Sequence, residues 1–165
     1  MKHKIAKLRQ IKKQIIQLGL HIREEDFERP WGGFFKIDEQ DTGRFIRQFF
    51  PEVEDKIMQK ELPLSPKILC VAPRQQLSWQ YHDRRAELWK LVSGKAAFKV
   101  ALTDHEAEAE ILIPGKLVQI AQGERHRLVG LNEWGVIAEI WLHVVPEHPS
   151  DETDIVRLDD DYGRS

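Results

Sequence analysis

From Trp31 onward the apolar residues come in short runs broken by Gly, Pro, Asp or Asn, and no helical period survives among them. The runs are Gly33 to Ile37, Ile68 to Val71, Gln76 to Tyr81, Ala86 to Val92, Ala96 to Ala101, Ala109 to Ile113, Leu117 to Ala121, His126 to Val129 and Gly135 to Val144. Runs this short, turning this often, predict an all-β jelly-roll barrel. Residues 51–66 interrupt the rhythm with Pro51, Pro63, Pro66 and the apolar pair Ile57 and Met58, and are read as a short helix or a flap. Ahead of the barrel, Ile5, Leu8, Ile11, Ile15, Leu18 and Ile22 recur every three or four residues, which predicts an amphipathic helix ended or interrupted near Gly19. Its apolar stripe is expected to pack on the barrel or on a second subunit. The reading therefore has an N-terminal helical arm over residues 1–28 and one β domain over 29–165.

A chain of 165 residues has room for one domain with a real core, not two. The net charge of -2 conceals a polarity: residues 1–23 hold seven Lys or Arg and no acid, leaving eighteen basic against twenty-seven acidic residues in the rest. So acidic a body is a poor partner for nucleic acid, because phosphate neutralisation supplies most of that affinity. Cys70 is the only cysteine and lies in an apolar run, so it reads as a buried small hydrophobe. With no long apolar segment and no secretory core, we expect no membrane partner and a reducing, cytoplasmic setting.

The residues with chemistry to offer are Gln80, His82, Glu87 and His126. Alternate residues of a strand share a face, so Gln80 and His82 project together, and Glu87 can return from the next strand after a tight turn. His126 is expected to arrive from across the barrel. Two imidazoles, a carboxylate and an amide oxygen suit Zn²⁺, and Mn²⁺, Fe²⁺, Co²⁺ or Ni²⁺ tolerate the same set. By the same parity Arg85 looks into the cavity with Glu87, whereas Arg84, Lys90 and Arg127 look away. Glu139 shares a strand face with Trp141 and His143, opposite an apolar face of Val136, Ala138, Ile140 and Leu142. It is either a solvated edge carboxylate or a cavity acid or base.

The spacing from Arg74 through Gln80, His82 and Glu87 to Gly94, and from Gly115 through Gly123 to His126, resembles the two cupin motifs. A cupin has Gly where this chain has Arg74 and Asn where it has Gly130. The run from Leu77 to Gly94, the Arg29-Pro30-Trp31-Gly32 segment and the Asp154 to Arg164 segment together resemble type II mannose-6-phosphate isomerases, over roughly residues 29–164. Two departures stand out: the family's His after the metal Glu is Leu88, and its usual Gln in the last long strand is Trp141.

The resemblance implies a cupin fold (a double-stranded β-helix), zinc on the four ligands, and aldose-ketose isomerisation of a phosphorylated sugar, most simply mannose 6-phosphate. It puts the family's functional arginine at Arg85, with Glu139 as the second catalytic candidate. Arg157 and Arg164 either grip substrate phosphate or pair with Asp159, Asp160 and Asp161. Cupins commonly pair their barrels, so a homodimer is expected. The alternatives are a cupin that binds or senses carbohydrate without turning it over, and a phosphoheptose isomerase or sugar epimerase.

Overall fold

The computed structural model describes residues 1–165, all of the chain. Helix α1 (Lys2–Gln17) leads into strand β1 (Ile22–Asp26) and β2 (Gly32–Ile37). Helices α2 (Thr42–Phe49) and α3 (Glu54–Met58) follow, and then β3 (Leu64–Val71), β4 (Trp79–Tyr81) and β5 (Arg85–Ala101). The chain ends with β6 (Glu110–Ile111), β7 (Val118–Ile120), β8 (Arg125–His143) and β9 (Val156–Asp159).

Two of these strands are far longer than the rest and organise the others. β5 and β8 run antiparallel from Arg85 opposite His143 to Ala101 opposite Arg125, with bulges near Leu91 to Ser93 and Gly94 to Ala96. The bulges bend the pair, so its two ends belong to two facing sheets. The first half of β5 and the second half of β8 are flanked by β7 on one side and by β3, β2 and β1 on the other. The other halves are flanked by β6 on one side and by β4 and β9 on the other. Gly94 marks the corner: its φ is +73°, and a Cβ there would lie 1.7 Å from the Trp134 carbonyl oxygen. This is the jelly roll that the apolar rhythm predicts, built as one strongly bent nine-stranded sheet that stays open between β1 and β9 instead of closing into a barrel. What the sequence shows as separate runs, 86–92 with 96–101 and 126–129 with 135–144, the structure joins into two bent strands.

Strand parity divides the core in two. Between the sheets lie Phe34, Leu69, Trp89, Leu128, Ile137 and their neighbours. On the outer face, Phe35, Ile68, Cys70, Leu88, Ala138, Ile140 and Leu142 are covered by helices. The cover consists of Leu8, Ile11 and Ile15 of α1 and Phe45, Ile46 and Phe49 of α2, together with Phe50 and Ile57. The N-terminal stripe thus packs on the barrel, as expected, with Gly19 (φ +78°) closing the helix. Leu18 remains exposed and Ile22 already belongs to β1, so the arm is part helix and part edge strand. Burial pushes the Cys70 thiol pKa up, in keeping with an inert packing role. No helix is long and apolar enough to cross a membrane.

Two of the turn positions that depart from the cupin pattern, Arg74 and Gly130, lie on adjoining segments joined by backbone hydrogen bonds. Arg74 holds φ +59°, a left-handed conformation that costs a residue with a Cβ roughly 1–2 kcal/mol. Its backbone N–H donates to the Leu131 carbonyl at 2.8 Å, and Gly130 N–H donates to the Gln75 carbonyl at 2.7 Å. A Cβ on residue 130 would sit 2.2 Å from the Ala72 carbonyl oxygen, so only glycine admits this approach. The glycine has in effect moved from the turn to the strand on which the turn packs. Replacing Arg74 with Gly should raise the unfolding free energy by roughly 0.5–1 kcal/mol, after the entropy glycine adds to the unfolded chain. Urea denaturation checks this, and Gly130→Ala should be destabilising in the same assay.

Candidate metal centre

Gln80 on β4 and His126 on β8 are register partners, so their side chains leave neighbouring strands on the same face. His82 follows two residues after Gln80, just past the end of β4. Glu87 comes from β5 in the facing sheet and pairs with Ile120 and Trp141, not with β4. His82, Glu87 and His126 are brought together, but the roles of near and far strand expected from spacing are exchanged. His126 is the neighbour, and Glu87 is the residue that crosses the cavity.

One lone pair from each of His82, Glu87 and His126 falls within 4.8 Å of the others, and all three residues are buried. The two imidazole Nε2 atoms are 3.2 Å apart. Glu87 Oε1 is 3.1 Å from His82 Nε2, and Glu87 Oε2 is 3.5 Å from His126 Nε2. The tautomers follow from the other ring nitrogens. His82 Nδ1 is 2.6 Å from the Asp154 carbonyl oxygen and His126 Nδ1 is 2.9 Å from that of Glu124. A carbonyl can only accept, so both Nδ1 atoms carry hydrogen and both neutral rings turn bare Nε2 lone pairs toward one point.

Burial lowers the His126 pKa to about 4, which keeps the ring neutral and able to ligate. Burial alone would protonate Glu87, but its interactions with His82, His126 and the Arg85 guanidinium outweigh that and hold the carboxyl well below its usual range. Glu87 Oε2 is buried without a hydrogen-bond partner. Facing lone pairs, an ionised carboxylate and an unmet oxygen are what a divalent cation requires, so the residues fit the group.

Gln80 lies at the same point, with its Nε2 3.4 Å from His82 Nε2 while its Oε1 accepts from Ser78 Oγ at 2.5 Å. A half-turn of the amide exchanges these roles, because the serine hydroxyl accepts as readily as it donates. Arg85 points inward as parity requires, but it is heavily committed. Its Nε donates to Glu87 Oε1 at 2.8 Å, Nη1 to Ser150 Oγ at 2.9 Å and Asp151 O at 3.2 Å, and Nη2 to His82 Nε2 at 3.0 Å. The guanidinium also lies 3.6 Å from the centre of the Trp141 ring.

Glu139 is a cavity residue, not a solvated one: it is 3% exposed, and its two oxygens accept from the indole N–H groups of Trp89 and Trp141, each at 2.8 Å. Burial first, and then the charge of Glu87, push its pKa up to about 8. Lys67, directly opposite Glu139 in register, stands 4.1 Å above the Phe34 ring and pairs with Glu152 at 2.9 Å. Of the two departures from the family pattern, only Trp141 meets this cavity. Leu88 faces the helix-covered outer core.

Arg84 and Arg127 turn away as expected, Arg127 into pairs with Glu106 and Asp159. The residues that spacing did not reveal are Asp154 and Glu124, which act through their backbone carbonyls, and Lys67 and Trp89, whose inward parity alternates with outward Ile68 and Leu88. Arg29, Arg157 and Arg164 line the same cavity, whose free volume is about 70 Å³. Beyond the Lys67 and Glu152 pair lies a groove of about 490 Å³.

A jelly roll with a buried His, Glu and His cluster is a candidate metal centre. The family model described as "Mannose-6-phosphate isomerase C-terminal" matches residues 49–160, and the chain belongs to that family. A mannose-1-phosphate guanylyltransferase of Salmonella montevideo is 30% identical over 145 residues, covering 88% of this chain and 25% of the relative. The chain thus spans about a quarter of that relative's length. Among solved structures, a mutant of the Bacillus subtilis oxalate decarboxylase OxdC superposes with a TM-score of 0.55 at 14% identity, covering 84% of this chain and 30% of that one. Procruciferin, an 11S globulin of Brassica napus, gives 0.53 at 13% identity, covering 81% and 28%. Likeness at these identities is a likeness of fold.

The raised Glu139 pKa makes a signed prediction for the metal-free protein. A carboxyl held above its unfolded value near 4.5 contributes stability that is fully present below that pH and is lost as the pH rises through about 8. The stability of Glu139→Gln relative to the wild type should therefore rise between pH 4.5 and 8 and level off above. Chemical denaturation across that range measures the difference.

Proposed function

We propose that this protein is a metal-dependent aldose-ketose isomerase of a phosphorylated sugar, with mannose 6-phosphate and fructose 6-phosphate as the leading pair. One observation carries the reading: Gln80 and Glu87 of a ligand set suited to a divalent ion line one cavity with Glu139, a carboxyl group whose pKa burial raises to about 8. His82, Glu87 and His126 would hold the ion, with Gln80 as fourth ligand after its amide turns. An ion so held supplies Lewis acidity toward the neighbouring carbonyl and hydroxyl oxygens of a sugar. Zinc suits the donors best, and the set also accepts Mn²⁺, Fe²⁺, Co²⁺ or Ni²⁺.

Isomerisation moves a proton from C2 to C1 while the carbonyl passes from C1 to C2. Glu139 suits that transfer. Its pKa of about 8 leaves it close to balance at neutral pH, where a group can both take a proton and return it. It lies diagonally across the β5 and β8 pair from Glu87, at the roughly 7–8 Å of diagonal neighbours. The two indole N–H groups fix its plane and leave its remaining lone pairs to the cavity. Arg85 acts as a positioning residue: it holds Glu87 ionised and ties that ligand to the 150–154 segment. A hexose phosphate exceeds the free volume between the sheets, so the arginines at the rim and the Lys67 and Glu152 pair must part to join the cavity to the groove beyond it.

The small free volume and the two indole locks on Glu139 also favour a second reading, a cupin that binds carbohydrate without turning it over. Incubating the metal-loaded protein with mannose 6-phosphate and with heptose phosphates separates the two. The isomerase reading expects ketose, a drop of about 10²–10⁴ in kcat for Glu139→Gln, and loss of metal with activity for His126→Ala. Sugar binding with no ketose at any metal loading would overturn it in favour of the binder. Turnover untouched by Glu139→Gln would remove that residue from the reaction.

A further inference from the structure

Three residues line both the small cavity between the sheets and the groove beyond it: Lys67, Trp141 and Glu152. They form the partition between the two spaces, and they are held very differently. Trp141 sits within β8, flanked in register by Ser65 of β3 and Glu87 of β5, and is 6% exposed. Its indole N–H donates to Glu139 Oε1 at 2.8 Å, and the Arg85 guanidinium and Lys67 ammonium stand 3.6 Å and 4.7 Å from its ring centre. Two cations against the ring, a hydrogen bond at its edge and a paired strand on each side fix the indole in place.

Glu152 is the loose member. It belongs to a turn outside any strand, its side chain is 40% exposed, and its partners are Lys67 at 2.9 Å and Lys36 at 3.5 Å. The Lys67 side chain, by contrast, is 8% exposed and stands 4.1 Å above the Phe34 ring. In a half-solvated ion pair the exposed partner leaves more readily, because water replaces the contact it gives up. Opening the partition therefore moves Glu152 and leaves Trp141 as the fixed edge of the aperture.

The two spaces differ in what they can hold. The cavity, at about 70 Å³, is far below the roughly 300–1,000 Å³ of a pocket that encloses a whole small ligand, whereas the groove, at about 490 Å³, is within that range. Charges along the groove are matched in pairs, Glu24 with Lys36 at 3.0 Å and Glu39 with Arg23 at 3.2 Å. Ser65 Oγ accepts from His143 Nε2 and keeps its own hydrogen to give. Matched charges and a free hydroxyl suit a ligand whose groups both donate and accept, as sugar hydroxyls do. We infer that Trp141 sets the shape of ligand this site takes: an extended, acyclic polyhydroxy chain, with its hydroxycarbonyl end in the cavity beside Gln80, Glu87 and Glu139 and its remaining hydroxyls in the groove. A closed six-membered ring meets the indole, whereas a chain passes its edge one carbon at a time. The sugar-phosphate skeleton rests on the isomerase reading, and the preference for chain over ring does not.

Calorimetry on the zinc-loaded full chain tests this with two unreactive probes that carry the same phosphate, open-chain mannitol 1-phosphate and ring-locked 1,5-anhydromannitol 6-phosphate. The wild type should bind the chain roughly 10-fold or more tightly than the ring. Trp141→Gln, which takes down the wall, should bring the two affinities together with metal content and thermal midpoint retained. Trp141→Phe keeps a flat ring without the N–H that Glu139 accepts, so it should keep the preference; its loss there would assign the effect to the hydrogen bond and overturn the wall. A chain preference that depends on Trp141 in a protein that forms no ketose would support the partition and sink only the isomerase reading. Equal or tighter binding of the ring by the wild type, a preference unchanged in Trp141→Gln, or no affinity for either probe overturns the partition whatever the catalytic outcome. The wild-type comparison needs no variant and decides the matter even if Trp141→Gln fails to fold.

Discussion

Two imidazole Nε2 atoms held 3.2 Å apart in the buried interior form the constraint around which the rest of this protein is arranged. Left alone they repel, and the ionised Glu87 beside them adds unmet negative charge. The arrangement persists because each ring is fastened from behind by a backbone carbonyl, that of Asp154 or that of Glu124, which no rotation of a side chain can withdraw. Arg85 relieves one edge of the cluster by bonding His82 Nε2 and Glu87 Oε1, and leaves Glu87 Oε2 unmet. The chain has placed its conformational freedom outside this cluster and its demand for a cation inside it.

The segment that fastens His82 is itself secured by the site. The Asp154 carboxylate accepts from the backbone N–H groups of Asp83 and Arg84 and from Ser150 Oγ, while its carbonyl accepts from His82. His143 belongs to the same junction: its Nδ1 accepts from Ser150 N–H, so its Nε2 carries the hydrogen and donates to Ser65 Oγ. That direction makes Ser65 a structural acceptor and not a nucleophile. Binding at the ligand set and placement of β9 are thus one problem, because the strand that presents Arg157 begins two residues after Asp154.

Much of the fold was legible because strand parity and the apolar runs depend only on local sequence. Inward Glu87 and outward Leu88, inward Glu139 and outward Ile140, and the α1 stripe of Leu8, Ile11 and Ile15 all follow from periods of two and of three to four. The parts that were not legible depend on long-range contact. Helix α2 covers the outer sheet face with Phe45, Ile46 and Phe49; the stretch Thr42–Phe49 is amphipathic, but it spans only about two turns and so does not stand out from the short apolar runs around it. β9 exists only because β4 offers it an edge. That Glu87, not His126, crosses between the sheets could not be read from spacing, since the bend of β5 and β8 decides it. The Trp141 indole follows from parity, two residues along the same strand, whereas the Trp89 indole and the carbonyls that hold the imidazoles lie beyond any motif, because one comes from a neighbouring strand and the others from the backbone.

X-ray absorption at the metal edge, on protein loaded with one equivalent of zinc, bears on the central claim most directly. The geometry predicts two imidazole nitrogens at about 2.0–2.1 Å with oxygen completing the shell, and loss of one imidazole contribution in either His82→Ala or His126→Ala. A zinc environment without histidine, or one unchanged by both substitutions, would contradict it.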